Sequence, residues 1–328
     1  MKNIFKACLS VMMVWCFAFI ANASESVPIK SGKAISQLVT SHDRALPGSD
    51  IHIALSQRLE PHWHTYWRNA GGPGKPVQIN RTLPSGASVG DILWPLPTII
   101  HTVSIVNYVF EDKLLLPMVL HVPDDAKLGE TLEINATALY LVCYQVCLPE
   151  SAELSLTLEI GAPLLDGRWG ANIRRTLAGI PQQNTHIRAA IHKDGDGFVL
   201  GIQAENLNVE SVRNPYFFPY IQDMIDADAP QTTSQFEHGF SLGLNPGWKL
   251  ERGWSGDMVG VISYEVQTDT GWKRQGSIVT AKTGAVLDLG KAVKAKKYAQ
   301  FSWSWMSLLA IFLACLAIGG FVAKRRKK

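Results

Sequence analysis

Short runs of alternating apolar and polar residues cover most of the chain and predict β-strands. Examples lie at residues 51–55, 114–122, 132–142 and 154–160, and Gly, Pro or Asn residues separate successive runs. Alternation with period two places every second side chain on one face, as in a strand that buries one of its faces. From about residue 31 to residue 161, no long stretch combines apolar residues at helical spacing with capping residues. The pattern therefore predicts an all-β fold built from antiparallel β-sandwiches.

The alternating runs fall into two series, which predict two β-sandwich domains in tandem. The first domain is predicted at residues 24–165 and the second at residues 185–290. The intervening residues 166–184 lack alternation, and we interpret them as a connector with a short helix before Pro181. In the second domain, prolines bracket the aromatic stretch 214–220. This stretch is either a partner-binding loop or a loop folded over the core of its own domain.

The amino terminus has the pattern of an export signal. Lys2 and Lys6 precede an apolar run, and small residues end it, so residues 1–23 are predicted to be a cleaved signal peptide. The alternative is an uncleaved anchor, but the apolar run is shorter than the roughly 20 residues that a membrane-spanning helix needs. The domains that follow are therefore predicted to be exported.

The carboxyl terminus has the pattern of a membrane anchor. Residues 303–323 carry no charge and would be about 31 Å long as a helix, which predicts one C-terminal transmembrane helix. Residues 291–302 are interpreted as a juxtamembrane linker, and the basic tail 324–328 is predicted to lie in the cytoplasm. The expected location is the bacterial inner membrane, with a single pass and the large domain in the periplasm.

The charge of the exported part argues against nucleic acid as a partner. The whole chain has 31 Lys and Arg against 28 Asp and Glu, and seven of the basic residues lie in the signal peptide and the tail. The remaining 24 basic residues are outnumbered, so the exported part is mildly acidic. The sequence also lacks a nucleophile elbow and a phosphate-binding glycine loop, which makes a hydrolase or a nucleotide-dependent enzyme an unfavoured interpretation.

Two cysteines of the exported part, Cys143 and Cys147, are the main candidates for chemistry. In an extended strand they would lie roughly 13 Å apart, whereas a disulfide needs Cα atoms within about 7 Å. A disulfide between them therefore requires the chain to fold back, through a tight hairpin with residues 144–146 at its tip or through one helical turn. The alternating runs on both sides favour the hairpin.

Three interpretations of the pair compete: an exchangeable disulfide, a structural disulfide and a soft-metal site. So short a ring restricts the unfolded chain very little, which favours exchange over a structural role. Tyr144 and Gln145 are then candidate contacts for an incoming thiol protein. Lys, Arg and His are absent from the immediate neighbours of the two cysteines, so the local sequence offers no cation to lower a thiol pKa.

A second conspicuous stretch contains two histidines, His62 and His64, in an aromatic context. On one strand face they could begin a copper or zinc site, but His101, Met118 and His121 would complete it only if the fold gathered them. Solvated or hydrogen-bonded histidines are far commoner. We therefore predict no metal and no cofactor, and we interpret the neighbouring aromatic residues as core.

Four motifs in the first domain resemble the amino-terminal periplasmic domain of the membrane thiol:disulfide reductase DsbD family, nearest to its suppressor-of-copper-sensitivity protein B branch. They are WHTYWRN at 63–69, LWPLP at 93–97, NYVFEDKLLLP at 107–117 and VCYQVCLPE at 142–150. In the second domain, FFP at 217–219 and APQ at 229–231 look like the same branch. The resemblance covers most of the exported chain.

The resemblance implies an immunoglobulin-like sandwich with a redox-active cysteine pair. Cys143 and Cys147 match the pair that accepts electrons from a thioredoxin-like domain and passes them to periplasmic thiol proteins, which is protein-disulfide reductase-like activity. Tyr108 and Phe110, in the third motif, join Tyr144 and Gln145 as candidate partner contacts. Family reductases continue into several membrane helices and a thioredoxin-like domain, so here we expect thioredoxin-fold partners and a membrane electron carrier in trans. The alternative is a non-catalytic binding or copper-handling protein with a structural disulfide.

Overall fold

β-Strands dominate the computed structural model, which describes residues 24–102, 105–163, 168–205 and 207–293. Twelve strands precede the connector: β1 Ile29–Ser31, β2 Ala34–Thr40, β3 Arg44–Ala45, β4 Asp50–Leu59, β5 His64–Tyr66, β6 Gln78–Thr82, β7 Ser88–Val89, β8 Thr98–Thr102, β9 Ile105–Glu111, β10 Lys113–His121, β11 Thr131–Cys143 and β12 Cys147–Ile160. After them come α1 Trp169–Leu177, β13 Gln182–Gln183, β14 Ile187–Asp194, β15 Gly197–Ala204, a 3₁₀ turn Val209–Ser211, β16 Val212–Pro219, β17 Thr232–Phe236, β18 Gly239–Leu244, α2 Trp248–Glu251, β19 Met258–Thr268 and β20 Gly271–Thr283. The predicted all-β fold is confirmed.

The first twelve strands form two sheets that pack face to face. One sheet has the order β1-β2-β4-β10-β7, and the other has the order β3-β12-β11-β5-β9-β8 with β6 beside β11. The alternation predicted for β11 and β12 is observed, because the inward-facing side chains from Leu132 to Val142 and from Ala152 to Ile160 are buried. Each fully buried aliphatic side chain contributes about 1.5–3 kcal/mol, so the alternation fixes which face of each strand enters the core.

The second series of strands forms one continuous eight-stranded sheet. Its order is β16-β19-β20-β14-β15-β18-β17, with β13 beside β20. The sheet folds over itself, because the rings of Phe240 in β18 and Tyr264 in β19 lie 6.2 Å apart although three strands separate them in the sheet order. The two layers around this second core are therefore parts of one hydrogen-bonded sheet.

Helix α1 lies in the connector and covers part of the outer face of the first sheet. Its buried residue Ile173 packs against Val39 of β2 and Ala54 of β4. At its amino-terminal end, the indole Nε1 of Trp169 donates a hydrogen bond of 2.6 Å to the carboxylate of Glu25. The helix is thus held to the first sandwich by apolar packing and by charge-assisted hydrogen bonding to Glu25.

The aromatic stretch 214–220 is mostly a strand, so both loop interpretations of it are wrong. It belongs to β16, and its residue Phe218 is fully buried. The Phe218 ring lies 4.9 Å from the ring of Tyr108 and 5.9 Å from that of Trp67, both residues of the first sandwich. The hydroxyl groups of Tyr108 and Tyr216 are 2.9 Å apart. β16 therefore packs an aromatic face into the core of the first sandwich.

Residues 1–23 and 303–328, which include the predicted signal peptide, transmembrane helix and basic tail, lie outside the described residues, as does most of the predicted linker. Within the described ranges, every helix is too short or too polar to cross a membrane.

Candidate functional site

The candidate site is the tip of the long β11–β12 hairpin. The two strands pair antiparallel from Thr131 and Glu159 to a last pair formed by Cys143 and Cys147. Their Cα atoms are 4.1 Å apart, and their sulfur atoms form a disulfide. The predicted hairpin is confirmed over the helical-turn alternative, because strand partners directly opposite each other bring their side chains within bonding reach.

The two cysteines differ in their exposure to solvent. Cys147 is exposed, whereas Cys143 is only 2% exposed. Cys143 is the last residue of β11 and packs in a small cluster with Tyr66, Ala70 and Val109 on the outer face of the second sheet. A thiolate from solution therefore has access to the sulfur of Cys147, and the sulfur of Cys143 is shielded.

A tyrosine hydroxyl lies beside the exposed sulfur. The Oη atom of Tyr66 is 3.6 Å from the Sγ atom of Cys147. Burial raises the pKa of Tyr66, so this hydroxyl keeps its proton at neutral pH and is available as a donor to sulfur. The ring of His64 packs edge-on against Tyr66 at 5.4 Å, and burial lowers the pKa of His64. The polar group that touches the reactive sulfur is thus a neutral donor rather than a cation.

Exposed side chains surround the disulfide at the hairpin tip. Tyr144 is 51% exposed, Val146 is 59% exposed, and Gln145 is also exposed. The Tyr144 ring lies 5.8 Å from the ring of His62 and 6.3 Å from that of Trp63. These contacts hold the tip against the segment before β5.

The structure brings together four of the six predicted site residues. Cys143, Tyr144, Gln145 and Cys147 share the hairpin tip. Tyr108, in contrast, is fully buried in β9, where its hydroxyl contacts that of Tyr216, and burial raises its pKa well above the usual value. This side chain contacts the second sandwich and has no surface to offer a partner.

The remaining predicted contact, Phe110, is also in the core of the first sandwich rather than at the tip. It is 8% exposed and stacks on the ring of Trp94 at 6.4 Å, with an interplanar angle of 9°. Both aromatic residues of the third motif are thus packing residues in this structure. The sequence could not separate them from Tyr144, because an aromatic side chain suits a core and an interface equally well.

The histidines considered for a metal site are not gathered. His62 has a positive φ of 71° and lies before β5, so it does not share a strand face with His64. Met118 is buried in the core of the first sandwich, and His121 contacts Asp50 at 2.9 Å. Within the described part of the chain, no three His, Cys, Asp or Glu side chains are arranged to hold a metal ion.

Tyr66 is the functional candidate that sequence reasoning missed, since its aromatic context indicated core. It reaches Cys147 because β5 pairs with β11 at Cys143 and with β9 at Tyr66. The pairing of β5 with β11 joins residues about 80 positions apart in the sequence, and no local pattern marks it. The only local signal is the polar hydroxyl of the tyrosine itself, on a strand whose three residues are all buried.

We expect Tyr66→Phe to slow disulfide exchange at Cys147 by roughly 2- to 10-fold at neutral pH, the range that the loss of one hydrogen bond of about 0.5–1.5 kcal/mol produces. The pKa of the reduced Cys147 thiol should rise, because its thiolate loses a donor. Thiolate absorbance against pH and the rate of reaction with a neutral aromatic disulfide measure the two effects. As a matched control, Tyr264→Phe in the second sandwich should change neither quantity, and an unchanged thiol pKa in Tyr66→Phe would contradict this role.

Comparisons with known proteins agree with the fold. The family described as thiol:disulfide interchange protein DsbD, N-terminal, matches residues 36–159, which include the whole β11–β12 hairpin up to Glu159. Among solved structures, the N-terminal periplasmic domain of ScsB from Proteus mirabilis has 18% sequence identity and a TM-score of 0.56, with 80% of this chain and 99% of that chain covered. At 18% identity, this similarity shows the fold alone.

A protein of unknown function from Porphyromonas gingivalis W83 covers 74% of this chain and 99% of its own, with 14% identity and a TM-score of 0.19, too low to carry an argument. Among curated proteins, no match is found. The motifs quoted from the sequence, the family match and the sandwich with its disulfide hairpin point to the same assignment. Residues 36–159 of this chain therefore form a DsbD N-terminal-like domain.

Proposed function

We propose that the chain is a thiol-disulfide exchange module that works through Cys143 and Cys147. One observation carries the proposal: the disulfide closes the tip of a hairpin, with Cys147 exposed and Cys143 buried beneath it. A structural disulfide has no need for an exposed sulfur, whereas exchange requires that a thiolate approach one sulfur in line with the bond. The match of the domain to the DsbD amino-terminal family supports the same function.

The difference in exposure supports different roles for the two cysteines. In reduction, a donor thiolate attacks the Sγ atom of Cys147, the bond between the two protein sulfurs breaks, and Cys143 leaves as a thiolate that takes up a proton. A second donor thiol then attacks the mixed disulfide, so the donor leaves oxidised and the pair is a dithiol. In transfer to an acceptor disulfide, the Cys147 thiolate attacks, and Cys143 resolves the mixed disulfide and restores the original bond.

The donor, the acceptors and the location belong to the same proposal. We infer that electrons come from a thioredoxin-like donor, supplied by a membrane electron carrier in trans, and pass to periplasmic thiol proteins. The motive is the resemblance of the domain to a family with this relay, together with the export signal and anchor patterns of the two ends. Protease treatment of intact spheroplasts tests the location, and full protection of the chain would contradict it.

The reduction potential of the pair tests the function. We expect a value above about −300 mV, in the range of catalytic and labile disulfides, because the ring is short and one sulfur is open to attack. Equilibration of the full-length chain with glutathione or thioredoxin buffers, followed by thiol alkylation and mass measurement, gives this value. A potential well below −300 mV would favour the structural disulfide of the non-catalytic alternative.

A further inference from the structure

A groove on the outer face of the first sheet shares no lining residue with the hairpin tip. Its first part, of about 660 Å³, lies between α1 and strands β2, β4 and β10. The apolar part of its lining includes Ile35, Leu115 and Trp169. Its charged lining consists of four cations, Arg58, Lys113, Arg168 and Arg175. An apolar floor with a cationic rim is suited to an anionic ligand that also carries apolar side chains.

The arrangement of these cations is unfavourable in the absence of a ligand. Arg58 and Lys113 are directly opposite each other in the β4–β10 ladder, both are exposed, and like charges in that position destabilise a sheet. Of the four cations, Arg168 has an acidic partner, because it contacts Glu25 at 2.9 Å. Among the described residues, no ion pair is found for Arg58, Lys113 or Arg175. Three exposed cations thus remain available around one groove.

The groove continues toward the disulfide. A second part, of about 780 Å³, shares Ile35, Arg58 and Lys113 with the first and extends to Glu60 and Pro61. It is mixed in charge, since Glu60 pairs with Lys33 at 2.9 Å and Glu111 and Asp112 also line it. The excess of positive charge therefore lies at the α1 end of the groove.

Contacts between side chains join the end of this groove to the hairpin tip. Pro61 precedes His62 and Trp63, whose rings contact that of Tyr144. The Nζ atom of Lys33, which lines the groove, lies 5.4 Å from the centre of the Trp63 ring. From Ser56 to Leu59 the groove follows β4 for about 10 Å, and it continues past Glu60 to Pro61 in the turn after the strand. This shape is suited to an extended polypeptide rather than to a compact small molecule.

We propose that this groove binds an acidic, extended polypeptide segment of the protein that exchanges thiols at Cys147. The inference rests on the proposed function and adds the class of partner surface that the site selects. Aliphatic side chains of the segment pack on Ile35, Leu115 and Trp169, while its carboxylates pair with Arg58, Lys113 and Arg175. The partner thiol or disulfide then reaches Cys147 at the tip, so the groove raises the local concentration of partners with the right charge.

The test compares two synthetic peptides that differ only in charge. Each has one cysteine, activated as a pyridyl disulfide, and a segment that alternates Leu with either Glu or Lys. The reduced full-length chain attacks the peptide sulfur with the Cys147 thiolate, thiopyridone leaves with the electron pair and takes up a proton, and Cys143 then releases the peptide thiol. At low ionic strength we expect the acidic peptide to react about tenfold faster than the basic one, and the ratio to approach one in ~0.5 M salt.

Charge-reversal variants test whether the groove causes the faster reaction of the acidic peptide. The double variant Arg58→Glu/Lys113→Glu should lose the preference for the acidic peptide, and the milder Arg58→Gln/Lys113→Gln should reduce it. The control Lys127→Glu/Lys193→Glu makes the same change in net charge at exposed positions outside the groove and should keep the preference. All variants should react equally with neutral dithiodipyridine, since the cysteines are untouched.

Direct binding measurements distinguish failure of the groove proposal from failure of the proposed exchange function. Fluorescence anisotropy with labelled, cysteine-free forms of both peptides measures the groove without any exchange. Equal binding of the two peptides, or an equal loss in the control variant, would overturn the proposal. Binding of anionic phosphatidylglycerol vesicles through Arg58 and Lys113, with no binding of the acidic peptide, would also overturn it and assign the groove to lipid. A chain that binds the acidic peptide but reacts with no disulfide would retain the groove and contradict the exchange function.

Discussion

The Cys143→Ser variant is expected to accumulate a mixed disulfide through Cys147, whereas the Cys147→Ser variant is expected to form such adducts on the order of 100-fold more slowly. The reason is access, because thiol exchange requires approach to the attacking or attacked sulfur. Cys147 is exposed at the hairpin tip, and Cys143 is 2% exposed. Without Cys143, nothing resolves the adduct on Cys147, so the partner stays attached.

Trapping of mixed disulfides in cells and reaction rates in solution measure this difference between the two single variants. Adducts are separated without reductant and identified by mass spectrometry, and the double variant Cys143→Ser/Cys147→Ser serves as the control that should form none. Reaction rates of the two single variants with neutral dithiodipyridine give the intrinsic difference in access. Equal rates, or a partner trapped only by Cys143, would reverse the assignment of the two roles.

The same variants separate exchange from a structural role. The ring closed by the disulfide is short, so its loss should cost about 1–2 kcal/mol of unfolding free energy, at the low end of the range for native disulfides. A loss of about 5 kcal/mol in both variants, with no adduct in cells, would mean that the disulfide is structural. The fold assignment would be unaffected, because it rests on the sheets and on the family match rather than on exchange.

The Trp67→Ala variant is expected to lose about 3–5 kcal/mol of unfolding free energy, the largest stability effect of a single substitution proposed for this chain. Trp67 is 1% exposed, and its ring contacts those of Tyr108, Phe218 and Tyr220. Removing it opens a cavity where the first sandwich meets β16, and the rings around that cavity cannot collapse into it without breaking their own contacts.

Denaturant unfolding followed by fluorescence and circular dichroism measures this loss. Trp248→Ala is the matched control, because the same substitution at a side chain that is 48% exposed should change stability by about 0.5 kcal/mol or less. If both variants lost the same free energy, the aromatic junction would not stabilise the fold as its burial indicates. An intermediate that appears only in Trp67→Ala would show that this junction couples the two sandwiches.

A local sequence pattern predicts the structure correctly where residues that are close in space are also close in the sequence. The β11–β12 hairpin illustrates this, because its alternating residues, its three-residue tip and the pairing of Cys143 with Cys147 all lie within one continuous stretch. The apolar side chains of each strand point to one face, and burying that face sets the register. The family motifs added the disulfide-exchange hypothesis, which composition and spacing alone left open among three interpretations.

The aromatic residues show where local pattern fails. Tyr108, Phe110 and Tyr144 are similar in type, yet two are buried and one is exposed at the tip. The pattern of the stretch 214–220 predicts a loop, but most of it is a strand whose rings enter the first sandwich. Local pattern misses this because the partner rings are more than 100 residues away in the sequence. An aromatic side chain can make favourable contacts both in a core and at an interface. Only the tertiary contacts therefore decide where each of these residues lies.

The all-β fold, the hairpin and the identity of the cysteine pair could be predicted from the sequence, because period-two alternation and close spacing act over a few residues. The tertiary structure alone decided which sulfur is accessible, since β5 and β9 cover Cys143 and leave Cys147 open. It also placed Tyr66 beside Cys147 and brought Arg58 and Lys113 together with α1. These arrangements depend on pairing between strands that are distant in sequence, and the free energy of that pairing comes from burial of the whole core rather than from any local pattern.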